Sequence, residues 1–529
     1  MDRINILDCT LRDGGYCNQW NFGKKNIRKI INSLVRVNAE VIECGILTNR
    51  KEHSEDITLF NSVEEIAAYL PENREDKLFV CLANYGEYEF DQLTKCDGTS
   101  VTGIRVAFHK KDAENALQVC KDIKDKGYEV FIQPMVSLNY SDEEFLKLIH
   151  MVNDIEPYAC YIVDSFGGIT EKDLKRLFFL ADKNLGPEIC IGFHSHNNMQ
   201  LAYANALSLT MIQTFRKLII DCCIMGMGRG AGNLNTELFV EYLNRVFGKN
   251  YCIEPMLVVI DQILGKFYNN NYWGYSLSNY LSAKHNVHPN YAKFLTDKQT
   301  LTVEDINKIF LMMEEGHKVS YDSKYIDTLY TAYMGKEDEK TDNLKELKEQ
   351  IADREVLIIA PGISSQTEKD TICSYLKNNN VVSIGINFDY PYWDTDYIFV
   401  SNLRRYETLP EMRREKCIVT SNISSNDVFV KVKYTDLLNN NEFVRDNAGM
   451  MLIKYLVSLG VKKVVLAGLD GYSKNMQDNY INEEMAFPIH TMAAIGKNQG
   501  MSEVLREFAK VVPIVFLTPS KFVTNEISE

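Results

Sequence analysis

The feature that most limits what this chain can fold into is an alternation. Short apolar runs, each followed by a longer amphipathic stretch, recur eight times before residue 225. The apolar runs lie at 4–8, 40–46, 77–82, 103–108, 128–133, 159–164, 189–194 and 218–224. Between them apolar residues recur every three or four positions, as with Ile27, Ile30, Ile31 and Leu34 in 25–37, and this spacing predicts a helix. Further helices are predicted over 113–126, 142–153 and 171–183. Strands separated by helices lie parallel, and eight such units within roughly 225 residues make up a closed (β/α)8 TIM barrel.

A barrel of this kind carries its chemistry where strands end and the loops to the next helices begin. The residues at those exits are Arg12 and Asp13, Glu43, Asn84, Arg105 and His109, Gln133, Asp164 and Ser165, and His194 and His196. Nearly all are polar or ionisable although the strands before them are apolar. Side chains two apart on a strand share a face, so His194 and His196 can grip one cation. The glycine-rich segment Gly226-Met-Gly228-Arg-Gly230-Ala-Gly232-Asn233 follows the eighth run. Gly226, Gly228 and Ala231 fit the dinucleotide pattern GxGxxG/A, but that pattern belongs after a first strand. Here it reads as a loop whose backbone comes close to a ligand or to a neighbouring loop.

The 529 residues exceed the usual size of one core, so a second domain is expected. A formal charge of −14 lacks the basic footprint of a nucleic-acid binder and provides no polybasic membrane patch. No run of eighteen apolar residues predicts a membrane span. The thirteen cysteines form no CxxC pair, and several fall inside strand-like runs, which is the usage of reduced cytoplasmic thiols. The start carries no charged-then-apolar leader, in keeping with a cytoplasmic protein.

The segments Asp8-Cys-Thr-Leu-Arg12-Asp13-Gly14, His194-Ser-His196-Asn-Asn198 with Leu201-Ala-Tyr-Ala-Asn205, and Gly228-Arg-Gly-Ala-Gly232-Asn233 together resemble the DRE-TIM metallolyase superfamily. Over about residues 4–295 the likeness is nearest to the 4-hydroxy-2-oxovalerate aldolase branch. The resemblance implies a divalent cation, Mn²⁺ or Mg²⁺ with Zn²⁺ as an alternative, held by Asp13, His194 and His196, with Asn233 as a further ligand. It implies a metal-dependent carbon–carbon lyase whose metal stabilises the enolate of a 2-oxo acid, pyruvate first, for reaction with an aldehyde. Arg12 would donate to the developing oxyanion, and Ser165 would bind the oxo acid; Glu43 and Arg105, from their places at strand exits, are read as further substrate-binding residues. The chain departs from the branch at Tyr16, where those aldolases carry a histidine as general base. A phenol near its ordinary pKa is a poor base at neutral pH unless the metal and Arg12 depress it. His109 is the leading substitute, followed by His53 and His285.

Two other readings stay open: a Claisen-type acyl-CoA synthase of the isopropylmalate and homocitrate type, and a silent barrel that scaffolds the rest of the chain. Tyr275, Tyr280 and Tyr291 are candidates for a lid or a homodimer contact. The expected domains are the barrel (1–295), a helical extension with a charged linker (296–350), and a second α/β domain (351–529). The charged run 335–350 fits a tether or a solvated helix. Beyond it, strand-like runs at 355–360, 381–387, 396–401, 416–420, 428–432, 463–468 and 512–517 predict an open Rossmann-like sheet. Gly362, Ser364 and Ser365 could cradle a phosphate there. A weak likeness to the Rossmann-like domains of bacterial motility accessory and surface-sugar transferase proteins hints at polysaccharide biosynthesis.

Overall fold

The computed structural model describes residues 3–74, 76–335, 343–482, 485 and 491–523. The chain divides into two compact units, Met1–Phe294 with Glu314–Tyr321, and Leu295–Met313 with Asp322–Glu529.

In the first unit nine parallel strands are β1 (Ile4–Asp8), β2 (Val41–Leu47), β3 (Leu59–Phe60), β4 (Leu78–Asn84), β5 (Gly103–Phe108), β6 (Glu129–Pro134), β7 (Ala159–Asp164), β8 (Cys190–Ser195) and β9 (Leu218–Cys222). They run in the order β1-β9-β8-β7-β6-β5-β4-β2-β3, and β1 also pairs with β2. Eight of them therefore close a ring, and the two-residue β3 hangs from the end of β2. This is the TIM barrel that the alternation predicts. Each predicted strand lies within two residues of its expected start and end. The helices pack their apolar stripe inward: in Lys24–Val37, residues Ile27, Ile30, Ile31, Leu34 and Val37 are buried. Inside the ring, Leu7, Val41, Val80, Phe131, Tyr161 and Ile219 form a core of their own beneath the strand ends.

The second unit contains β10 (Glu355–Ile359), β11 (Val382–Ile386), β12 (Tyr397–Val400), β13 (Cys417–Thr420), β14 (Val430–Val432), β15 (Lys463–Ala467) and β16 (Ile514–Phe516). All pairings are parallel, in the order β14-β13-β12-β11-β10-β15-β16. This is an open sheet with its own apolar core around Leu357, Ile359, Ile372, Val465 and Ala467. Helices Val303–Leu311, Ser323–Met334 and Leu344–Ile351 belong to this unit. Of the charged run, 336–342 lies outside the described residues, while Lys345 and Glu349 face each other one helical turn apart. No helix among the described residues is long and apolar enough to cross a membrane.

Candidate metal centre

Asp13 lies in the turn after β1, where its backbone N–H and that of Arg12 both donate to the carbonyl of Cys9. His194 is the fifth residue of β8 and His196 lies just beyond its end. These three side chains, far apart in sequence, come together. Asp13 Oδ2 is 4.0 Å from His194 Nε2 and 3.8 Å from His196 Nδ1, and the candidate ligand atoms all lie within 4.8 Å of one another. All three residues are at most 4 % exposed. His196 Nδ1 and Asn233 Oδ1 are enclosed without a hydrogen-bond partner among the described residues, although the Asn233 amide nitrogen donates to Asp13 Oδ2. Buried polar atoms are normally paired, so a cation among these groups would satisfy what the protein leaves unmet. One carboxylate, two imidazoles and an amide oxygen suit Mn²⁺, Mg²⁺ or Zn²⁺.

Two of the three groups rest in the state that ligation needs, and the third must give up a proton. Burial opposes charge on Asp13, but the Arg12 guanidinium and the two imidazoles outweigh it and hold the carboxyl well below its usual range. Burial pushes His196 down to about 3, which keeps that ring neutral. Burial also works to lower His194, yet its bond to Asp221 lifts it to about 9. Binding a cation at His194 Nε2 therefore displaces a proton.

Beneath the centre runs a buried chain of charges. Arg12 donates from Nη1 to Asp13 (2.9 Å) and from Nε to Glu43 (2.7 Å). Glu43 Oε1 pairs with Arg105 Nη1 at 2.9 Å, and Arg105 Nη2 donates to Asp221 Oδ2. Asp221 Oδ2 closes the chain 2.9 Å from His194 Nδ1. Two arginines and three carboxylates are thus paired in succession without solvent, and breaking one such buried pair costs about 3–5 kcal/mol. Glu43 and Arg105, both fully buried, belong to this chain. They do not line the cavity above it, where the sequence reading would have them bind substrate. The reason is depth: each is the third residue of its strand, well below the exit.

The cavity has a volume of about 60 Å³ and is lined by Arg12, Asp13, Tyr16, Ser165, His194, His196 and Arg229, with Asn84, Gln133 and Met135 among the rest. Ser165 Oγ accepts from the N–H of Val136 at 2.9 Å, so its proton remains available to a ligand. Gln133, oriented so that its oxygen accepts from Arg105, has its amide nitrogen as the remaining donor. Tyr16 stands at the rim. Desolvation of its phenol outweighs the Arg229 guanidinium 5.6 Å from its ring centre and raises its pKa. His109 is not among the residues lining the cavity; burial lowers its pKa, and its Nδ1 has no partner among the described residues. His53 is held away by a contact between Nδ1 and the Leu59 carbonyl at 2.9 Å. Of the tyrosines, Tyr291 is fully buried and donates to the carbonyls of His317 and Ser320, so it is a core residue and not a lid; Tyr275 is 54 % exposed.

Sequence reasoning missed Asp221 and Arg229. Asp221 is one acid inside the apolar strand β9, and that isolation was the available signal. Arg229 sits within the glycine-rich segment and donates to the Ser165 carbonyl at 2.9 Å. The glycines around it act as expected for close approach. A Cβ on Gly228 would stand 2.1 Å from the Asn233 amide nitrogen and 3.0 Å from Asp13 Oδ2. Gly232 has φ +84°, and a Cβ there would meet the Gly226 carbonyl at 2.0 Å. The loop thereby brings Asn233 beside His196, with which it forms an isolated antiparallel bridge.

Residues 3–247 match the HMGL-like family model. The chain is 28 % identical over 247 residues to a 4-hydroxy-2-oxovalerate aldolase of Geobacillus genomosp. 3, covering 46 % of this chain and 71 % of that one. It is 25 % identical over 247 residues to 4-hydroxy-2-oxovalerate aldolase 6 of Rhodococcus jostii (strain RHA1), covering 46 % and 69 %. A solved N-terminal domain from Bacteroides vulgatus aligns with a TM-score of 0.48 at 28 % identity, over 57 % of this chain and 99 % of that one. With its three signatures gathered around one ligand set and its HMGL-like match, the N-terminal barrel belongs to the DRE-TIM metallolyase superfamily.

Proposed function

We propose that this protein is a divalent-metal-dependent aldolase that works through the enolate of a 2-oxo acid, pyruvate first, with an aldehyde as the second substrate. The observation that carries this reading is the meeting of Asp13, His194, His196 and Arg12 at one small cavity. A cation held by Asp13, His194 and His196, with Asn233 beside them, would supply Lewis acidity to the oxo acid's oxygens.

The methyl proton of the oxo acid leaves to solvent water, and the protein's own groups bind and orient the substrates. Arg12 spends Nη1 and Nε on Asp13 and Glu43, and its Nη2 makes no hydrogen bond to the described residues. That is the donor left for a substrate oxygen, on a group that stays charged at any working pH. Because Asp13 and Glu43 lock the guanidinium, little reorganisation is needed as negative charge develops. Ser165 and the amide of Gln133 supply neutral donors for the acid's carboxylate. Tyr16, at the rim of the same cavity, suits the acid role: its phenol donates to the aldehyde oxygen as the new bond forms. The curated relatives named 4-hydroxy-2-oxovalerate aldolase support the same reaction class. A cavity of about 60 Å³ favours a short oxo acid.

Solvent exchange tests this. In deuterated water the methyl protons of pyruvate should exchange when Mn²⁺ or Mg²⁺ is present and cease to exchange on adding EDTA. Asp13→Asn should abolish exchange. Exchange that survives chelation or the Asp13→Asn substitution would overturn the reading. Tyr16→Phe should spare exchange while slowing aldol turnover by about 10²–10⁴-fold, the usual contribution of a general acid.

A further inference from the structure

The open sheet of the second unit contains a crevice of its own. From β10 the strands succeed one another outward to β14, and the chain then returns to place β15 on the other side of β10. At such a reversal the loops leaving the two central strands part, and the gap outside their carboxyl ends is where open α/β sheets take ligands. The cavity there is larger than the barrel's, about 160 Å³ against 60 Å³.

Its lining holds hydrogen-bonding groups that the protein does not use. Asn387, after β11, has its Oδ1 enclosed without a partner among the described residues. Asn402, after β12, is 5 % exposed; its Oδ1 accepts from the N–H of Arg405, while its Nδ2 makes no hydrogen bond to the described residues. The neighbouring Ser401 is buried with its hydroxyl likewise uncommitted. Asn387 Oδ1 is shut from solvent and buried polar atoms are normally paired; with the Asn402 amide and the Ser401 hydroxyl it offers donors and an acceptor to a polar, hydroxyl-bearing molecule.

Charge narrows the class. The helix start at Ser364, after β10, is closed to phosphate because Asp470 fills it: the backbone N–H of Ser364 donates to Oδ2 at 2.7 Å, and the Ser364 hydroxyl donates to the same carboxylate. The phosphate cradle read from Gly362, Ser364 and Ser365 is thus occupied by the protein's own acid. The other carboxylate of the lining, Asp446, is engaged by the hydroxyls of Tyr330 and Tyr434. At the start of the eleven-residue helix Ala448–Ser458 the Asn447 side chain caps the N–H of Met450, while the N–H groups of Ala448 and Gly449 make no hydrogen bond to the described residues and line the cavity. Arg405 and Lys497 line the same cavity. The first N–H groups of a helix and nearby cations together form an anion site. Ile386 and Leu469 add an apolar face against which a planar ring can lie.

We propose that this crevice binds a nucleotide, with its phosphate at the start of the helix Ala448–Ser458 beside Arg405 and Lys497, its sugar hydroxyls on Asn387 and Asn402, and its base against Ile386 and Leu469. The site stands apart from the barrel's reaction and does not depend on the assignment of that reaction.

Isothermal titration of the full-length protein with the mono- and diphosphates of cytidine, uridine, adenosine and guanosine tests it, with ribose 5-phosphate and inorganic phosphate alongside. At least one nucleotide should saturate with a Kd below about 1 mM, tighter than either comparison ligand. Lys497→Glu and Asn387→Gly should each weaken that binding about tenfold or more, while the melting temperature without ligand stays near that of the parent. Glycine suits Asn387 because that residue has φ +56°. The proposal fails if no nucleotide binds, if both variants bind as the parent does, or if phosphate or ribose 5-phosphate binds as tightly as every nucleotide.

Discussion

Asp221 is absent from the cavity wall, yet its Oδ2 is shared by His194 and Arg105 and so fixes which imidazole nitrogen faces the metal position. Losing such an orienting carboxylate usually costs 10–100-fold in metal affinity. Asp221→Asn should therefore weaken Mn²⁺ binding by about that factor in a titration, and it should lower the melting temperature because Arg105 loses one of its two charged partners. A second acid bears on pH. Burial raises Asp8 from 3.8 to about 6, against the bonds it accepts from Thr10 and Thr236. The folded chain then holds a proton that the unfolded chain has released, so stability falls as pH rises from about 4 to 6 and stays lower above that. Asp8→Asn should remove this part of the pH dependence, on the order of 2 kcal/mol, in denaturant titrations at pH 4 and pH 7. Individual site residues were legible in the sequence where chemistry repeats at short range, as in His194-Ser-His196 and Arg12-Asp13. Depth along a strand was not legible. Glu43, Arg105 and Asp221 sit mid-strand and form the buried layer, and only the closed ring shows that three such positions meet.

Among the elements, the strands were readable because those of a barrel are apolar throughout and flanked by amphipathic helices. β3 was not, since two residues carry no periodicity. The glycine-rich segment after β9 was read correctly as a place of close approach, but what approaches could not be known. It is Asn233 and Asp13 that a Cβ on Gly228 would strike, and the Gly226 carbonyl that one on Gly232 would strike. Gly232→Ala combines that clash with a left-handed backbone. It should cost more than the roughly 1 kcal/mol that positive φ alone imposes on alanine, and it should displace Asn233. The expected readout is lower Mn²⁺ affinity together with a reduced melting temperature; an unchanged pair of values would count against the loop's supporting role. In the second unit the turn after β10 was legible as a helix start, but the carboxylate that fills it comes from Asp470, more than a hundred residues later.

For the molecule as a whole, the two units have separate apolar cores, one built within and around the ring and the other on the open sheet. Separate cores can unfold separately. Calorimetry should resolve two transitions, of which only one moves upward with added Mn²⁺, since a ligand stabilises only the fold that binds it. A single transition that shifts as one would show that the units melt together.

The ring is sealed by β1, which pairs with β2 on one side and β9 on the other. During synthesis the carboxylate therefore leaves the ribosome long before the imidazoles, and it has nothing to coordinate with until the last stave docks against the first. A nascent chain of this protein would lack the full ligand set until that moment, and capture of a cation by all three groups together would mark completion of the barrel.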